Sequence, residues 1–598
     1  LCTHPALATQ ADADALVAQL NLKATHQHLA NSSVWQALLH ATTTHSNISD
    51  QNFLLSLPSF SLAAELQHTL VFLYSGDASH VCRFPARYVW LRQQLAAPEL
   101  PLDDCPDVSE FRRKAPLDEI ALVFASERIA EPASMLGHAF LKLTGKNAAA
   151  QSVSHAITFY TDANTLNLPK LLFDSMVIGK QGYFSLTPYA EQQQRYVDEE
   201  QRNLWEYTLA LSGEQTELIR LHLLELKQTH LTYFFQKYNC ATVLNFILAV
   251  SGNNIATHDW ILTPNDLIKH AQHAGLISET RVITPSRWLF LNLSQQVGAA
   301  QRDALIKQVK LGTASEYVAQ QTDDSAYLNL ELARAYNQYA YLTQQLEQQR
   351  WHENEASLSN LKQRRFAALS LSNNNRYDPV NTPADSQITV SSLYDQNGAA
   401  ISLTLLPVSH TLHDDNRAYA NESSLQLFAT TLKIPMRSQQ IELGQLTLFE
   451  MQSLLPYDAI TGGAASRFRL AIEPQKDQQL LAHRVFAMSG GYGLNKRVTD
   501  DIDAYVLLGG GMSYTGARGF FYTTVESGAI IREVWEMKSA LLLTRTDRQF
   551  SANSHYYTAS LNQAKFLTPD TSISFAWQRD FNQSQQQHRV ALSLKRLF

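Results

Sequence analysis

Beyond about Leu371 the chain alternates apolar residues with small or polar ones in short runs separated by turn residues. Ile573, Phe575 and Trp577 alternate with Ser572, Ser574 and Ala576, and Val590, Leu592 and Leu594 alternate with Arg589, Ala591, Ser593 and Lys595. A period of two is that of a β-strand with one greasy face. Similar segments fall at Ile388–Tyr394, Ala400–Leu406, Leu425–Ile434, Ile441–Leu455, Arg467–Ile472, Val485–Leu494, Ala504–Met512, Phe520–Ile531, Lys538–Arg545 and Tyr556–Phe566. Together they predict an antiparallel β-barrel of about twelve strands. The sequence stops on such a strand, with Phe598 last. Aromatics near strand ends (Tyr514, Phe520, Phe521, Tyr522, Tyr556 and Tyr557) suit a membrane-interface girdle. This favours an outer-membrane barrel over a soluble sandwich or a lipocalin-like barrel, which share the period.

Upstream the pattern differs. Helical spacing dominates from about Asp12 to Ala115, with helix starts at Ser33 and Ser61 after polar caps. Short apolar runs at Ile120–Ala125, Gly137–Leu143 and His155–Tyr160 then predict three strands. Helices are expected at about Ala190–Leu211, Gly213–His230 and Cys240–Val250. A Gln-rich helical connector follows from about Arg287 to Arg365, read as a packed linker rather than a coiled coil, since no heptad is sustained. The predicted fold class is α+β and multidomain: a helical accessory domain (1–115), a mixed domain (116–280), a helical connector (281–370) and the barrel (371–598).

A length of 598 residues is too great for one ordinary core. The net charge of −7 gives no basic surface for nucleic acid, so that partner is set aside. No run of about 18 apolar residues predicts a spanning helix, which leaves a barrel open. Of the four cysteines, Cys82 and Cys105 lie in polar, loop-like surroundings and are expected to form a structural disulfide; closing that loop is worth roughly 3 kcal/mol in an oxidising compartment. Cys2 hints only faintly at lipid attachment, and an export leader is expected to have been removed or to lie outside this sequence. No CxxC or Cys/His cluster has zinc spacing, so neither metal nor cofactor is expected.

The candidate chemistry lies in two motifs. Gly137-His-Ala-Phe-Leu-Lys-Leu143 reads as a strand opening with His138, and Tyr238-Asn-Cys-Ala-Thr-Val-Leu-Asn-Phe-Ile-Leu248 as an apolar helix opening with Cys240. The positive end of a helix favours thiolate, and an imidazole alongside takes the proton or stabilises the ion pair. His155 opens the next strand; adjacent pairing would bring it to the same sheet end as His138, as the residue orienting the imidazole. Tyr238 and Asn239 are candidates for shaping an oxyanion site beside the Cys240 amide, with helix capping the favoured role of Asn239. Gly137 and Ser134 would set the turn that delivers His138, and Arg202 and Trp205 would fix packing.

A histidine on one strand, a polar residue on the next and a late Asn-Cys helix resemble the circularly permuted papain-like group, which includes NlpC-type peptidases and lecithin:retinol acyltransferase-like proteins. More narrowly, Pro132-Ala-Ser-Met-Leu-Gly-His-Ala-Phe-Leu-Lys-Leu143, Arg202-Asn-Leu-Trp-Glu-Tyr207 and Tyr233-Phe-Phe-Gln-Lys-Tyr-Asn-Cys240 resemble the Lnb N-terminal periplasmic domain family over about Pro116–Gly275. That family is named after a bacterial lipoprotein transacylase. The resemblance implies a permuted papain-like fold with Cys240 as nucleophile, His138 as base and a third residue at His155, a position where the family pattern implies Tyr or another residue in many relatives. It implies periplasmic domains at the outer membrane acting on lipid or lipoprotein acyl groups. Two other readings stand beside it: a cell-wall peptidase or amidase, and a non-catalytic binding or assembly module.

Overall fold

The computed structural model describes residues 10–74, 77–128, 135–161, 170, 174–253, 255, 261–322, 325–371, 377–419, 421–548 and 555–598. Cys2 and Ser134 lie outside the described residues. The chain divides into two compact units, one built from residues 1–126, 137–288 and 342–345, the other from 127–136, 289–341 and 346–598.

The first unit opens with helices α1 (Gln10–His26), α2 (Ser33–Leu38), α3 (Leu62–Tyr74), α4 (Pro85–Leu95) and α5 (Pro106–Lys114). Cys82 and Cys105 form a disulfide whose loop encloses α4. Buried Arg87 on α4 pairs with Glu65 on α3 at 3.0 Å and lies between the rings of Phe53 and Phe84. Seven antiparallel strands follow: β1 (Glu119–Ala125), β2 (His138–Lys146), β3 (Ser152–Thr161), β4 (Lys180–Pro188), β5 (Leu204–Leu209), β6 (Leu231–Tyr233) and β7 (Ile277–Ile283), in the spatial order β6-β4-β3-β2-β1-β5-β7. Among them run α6 (Tyr189–Gln193), which continues as a π-helical turn through Glu199, and α7 (Gly213–Lys227), α8 (Cys240–Ala249) and α9 (Pro264–His273).

The three anticipated strands, the helix starting near Gly213 and the helix opening at Cys240 are present. The helix expected over Ala190–Leu211 stops at Glu199, and Leu204–Leu209 is instead a strand between β1 and β7. Leu204, Trp205, Glu206 and Tyr207 are all buried, so both faces are covered and no alternation marks the strand. Helix α8 is apolar on every side because it is a core helix, packed against β2 and β3.

In the second unit, helices α10 (Ser286–Val297), α11 (Ala299–Leu311), α12 (Ala314–Ala319), α13 (Ala326–Leu342) and α14 (Gln348–Arg365) share a core that includes Leu305, Val309, Leu330, Tyr336 and Leu358. The connector is thus packed, as its apolar positions anticipate.

The barrel strands are β8 (Gln387–Asp395), β9 (Gly398–Leu406), β10 (Val408–His410), β11 (Glu422–Pro435), β12 (Glu442–Leu454), β13 (Ala465–Lys476), β14 (Ala482–Thr499), β15 (Ile502–Tyr514), β16 (Gly519–Glu533), β17 (Met537–Arg548), β18 (His555–Thr568), β19 (Thr571–Phe581) and β20 (Gln586–Leu597). Each pairs with its neighbour, β20 returns to β8, and β9 closes on β11; short β10 continues the line of β9 along β11. Twelve full strands result, matching the twelve alternating segments. Leu592 and Leu594 point outward, as do Val506, Leu508, Met512, Phe521 and Val525, while Asp503, Tyr505, Leu507 and Glu526 point inward. An apolar outer band around a polar interior is the signature of a barrel solvated by lipid.

The segment after β10 folds across the barrel mouth that carries both ends of the barrel chain. Asp414 pairs with Lys595 of β20 at 2.6 Å and accepts from Gln387 of β8, while its carbonyl accepts from Lys538 of β17 at 2.9 Å. Lys538 also pairs with Glu422 of β11, on the opposite wall of the ring from β17. At that same mouth the connector touches the β12–β13 turn, where Tyr339 donates to the Ile460 carbonyl.

Candidate active site

The Asn239 side chain caps α8: its oxygen accepts from the Thr242 amide at 3.0 Å, and its nitrogen donates to the carbonyls of Phe235 and Leu262, each at 2.9 Å. That cap directs the first turn of α8 at the start of β2 and leaves Cys240 buried as its first residue. The backbone N–H groups of Ala139, Ala241 and Cys240 itself point at the thiol sulfur. Burial outweighs these donors and pushes the Cys240 thiol up from its ordinary value.

Ala139 follows His138, so the sulfur lies against the strand end that carries the imidazole. Gly137 supplies the turn into that end: its φ is +78°, and a Cβ there would come within 2.5 Å of the Phe124 ring. The His138 ring lies 6.2 Å from that of Tyr196, which is near enough to Cys240 to respond to its charge. Burial, then the Arg202 and Arg195 guanidiniums, pull the His138 imidazole down to about 4. It is therefore neutral at ordinary pH. Arg202 donates to the carbonyls of Ala125 (2.8 Å) and Ser126 (2.6 Å), and pairs with Glu200 at 2.7 Å, tying the end of β1 to the turn that carries Tyr196.

His155 is not brought to His138. In the β2–β3 register Leu143 faces His155 and Lys142 faces Ala156, so His155 projects from the other side of the sheet, five positions farther along. Continuing that register sets His138 level with Tyr160. The expectation that His155 orients the imidazole is corrected: antiparallel pairing places the start of β3 beside the end of β2. The Tyr238 hydroxyl meets His40 Nδ1 at 2.5 Å, and with Asn239 committed to its cap both residues shape the site through structure.

Tyr196 and Glu200 escaped sequence reasoning because they lie in a polar stretch read as one continuous helix. Among the described residues no group of three His, Cys, Asp or Glu side chains is arranged to hold a metal ion.

Residues 107–274 match the Lnb N-terminal periplasmic domain. Residues 376–596 and 27–94 match two domains of unknown function, DUF7840 and DUF7843. No curated protein matches the chain. Among solved structures, a KdgM porin in complex with disordered oligogalacturonate is 10% identical, with 36% of this chain and 99% of that chain covered and a TM-score of 0.24. A NanC porin is 8% identical over 35% of this chain and 100% of that one, at 0.25, and an anion-selective porin from Comamonas acidovorans is 9% identical over 36% and 98%, at 0.18. The barrel reading rests on strand register and on the outward apolar band rather than on these likenesses. The chain carries an Lnb N-terminal periplasmic domain followed by a twelve-strand outer-membrane-type β-barrel, and it resides in the outer membrane with periplasmic domains.

Proposed function

We propose that the chain is a membrane-tethered thiol enzyme in which Cys240 and His138 move an acyl group of a lipid or lipoprotein through an acyl-thioester. The observation that carries this reading is the thiol at the N-terminus of α8, held against the Ala139 amide beside a neutral His138. A protonated thiol next to an uncharged imidazole suits general-base activation. His138 takes the Sγ proton as Sγ attacks the ester or amide carbonyl. The backbone N–H groups at the helix start supply donors for the oxyanion. Collapse of the tetrahedral species releases the alcohol or amine, which recovers the proton from His138 and leaves the acyl group on sulfur. His138 then deprotonates the acceptor, and attack on the thioester frees Cys240.

The barrel supports the lipid reading, since tethering at a membrane raises the effective concentration of membrane-borne substrate without tight binding. The test is acylation of the full chain in detergent by a thiol-directed lipid-ester probe, with Cys240→Ala and His138→Ala alongside. Labelling confined to Cys240, with a loss of at least about a hundredfold in His138→Ala, is expected. A folded wild-type protein whose Cys240 ignores lipid and peptide esters alike would leave the domain a binding module.

A further inference from the structure

A chain of buried polar side chains runs from the loop before Cys240 into the N-terminal helical segment. The Tyr238 hydroxyl meets His40 Nδ1 at 2.5 Å, and His40 Nε2 meets His222 Nε2 at 3.0 Å. His222 Nδ1 faces the Glu225 carboxylate at 3.6 Å. Glu225 accepts from the backbone N–H groups of Ala86 (2.7 Å) and Arg87 (3.1 Å) at the start of α4, and Arg87 continues to Glu65. His40, His222, Glu225, Arg87 and Tyr238 are all buried.

One proton arrangement orients the run toward Glu225, whose Oε2 lies 3.6 Å from His222 Nδ1, beyond hydrogen-bond distance. The carboxylate can only accept, so the Nδ1–H of neutral His222 points toward it and its Nε2 is an acceptor. His40 then donates from Nε2 and accepts at Nδ1 from the Tyr238 O–H. Burial holds both imidazoles below their ordinary value, as this arrangement requires.

Two further observations single out His40. Its ring stacks on Phe246 of α8, with centroids 5.0 Å apart, and meets Tyr238 edge-on, so it grips the nucleophile's helix and the loop before it. Its backbone sits at φ +47°, a left-handed conformation that a non-glycine residue adopts at a cost, and the Asn47 side chain donates to its carbonyl.

We infer that His40 is a positioning residue for Cys240, acting through Tyr238 and α8, and that the helical segment matched over residues 27–94 completes the active site. This rests on Cys240 being the nucleophile. Neither His40 nor Tyr238 is placed at the reacting atoms; their hydrogen bond sets where the start of α8 stands against β2.

Full-length Tyr238→Phe, His40→Ala and His40→Asn separate the possibilities in detergent, with acylation of the Cys240 peptide by a p-nitrophenyl acyl ester followed by mass spectrometry. Tyr238→Phe keeps the ring and loses the donor. Asn at position 40 keeps an acceptor near the Nδ1 position and tolerates positive φ, whereas Ala keeps no acceptor. We expect kcat to fall about tenfold in Tyr238→Phe and His40→Ala with KM within about twofold, and His40→Asn to recover most of the loss. If His40→Ala fails to fold, Tyr238→Phe and His40→Asn decide. Wild-type rates in folded Tyr238→Phe, or His40→Asn no faster than Tyr238→Phe, overturn the positioning role while leaving Cys240 as nucleophile. Failure of wild-type Cys240 to acylate overturns both readings.

Discussion

His138 is an uncharged imidazole at the strand end whose Ala139 amide meets the protonated Cys240 thiol. Burial pulls the imidazole down to about 4 and pushes the thiol up, so each group is held in its neutral form. A preformed thiolate–imidazolium pair would require the reverse shifts. For the proposed reaction the sign of the pH dependence follows: His138 would be lost as a base only as pH falls through about 4, and the thiol ionises by itself only above its ordinary range. Alkylation of Cys240 by iodoacetamide should therefore keep rising past pH 9, while ester acylation persists through mildly acidic pH and falls near 4. An alkylation plateau already reached in mildly acidic solution would instead reveal a resting ion pair. At this scale the placement of Cys240 at a helix start and of His138 at a strand start was legible because each has a local signature. The position of His155 was not, because register depends on where the intervening turn falls.

Among the elements, α8 and its Asn239 cap follow from composition alone, since an apolar run after an Asn has few other solutions. Strand β5 does not, because covered faces erase the period that distinguishes strand from helix. The Cys82–Cys105 bridge encloses α4, whose Arg87 and first-turn amides anchor Glu225. Opening a loop of this size restores denatured-state entropy worth about 3 kcal/mol. Paired Cys82→Ser and Cys105→Ser substitutions should lower the stability of the N-terminal unit by about that amount in denaturant titration with an intact barrel. A loss below about 1 kcal/mol would mean that packing of α4 holds without the bridge.

For the whole molecule, the barrel interior is cross-braced at both mouths. At one, Asp414 reaches Lys595 and Lys538; at the other, Lys476 of β13 faces Asp580 of β19, on the far wall, at 3.6 Å. Between them Arg467 pairs with Glu526 at 3.0 Å, and Tyr505 also bonds to Glu526. These cross-braces narrow a twelve-strand lumen, and we predict that it does not conduct ions steadily. Purified protein in planar bilayers should show no steady conductance, and combined Asp414→Asn and Lys538→Ala substitutions should introduce intermittent openings. A stable open channel in the wild type would refute that prediction. The twelve alternating segments announced the barrel wall, but its cross-braces depend on residues that meet only when strands distant in sequence become opposite walls.

Local periodicity and composition determined the elements that one stretch of chain can specify by itself: the barrel strands, the capped helix at Cys240, the strand at His138 and the disulfide partners. Tertiary structure decided what long-range pairing controls. It set the register that turns His155 away, placed His40 against a helix some two hundred residues later, and sent the Asp414 segment across the barrel mouth. The physical reason is that burial and hydrogen-bond partnership are properties of meeting surfaces, whereas period and capping are properties of neighbours along the chain.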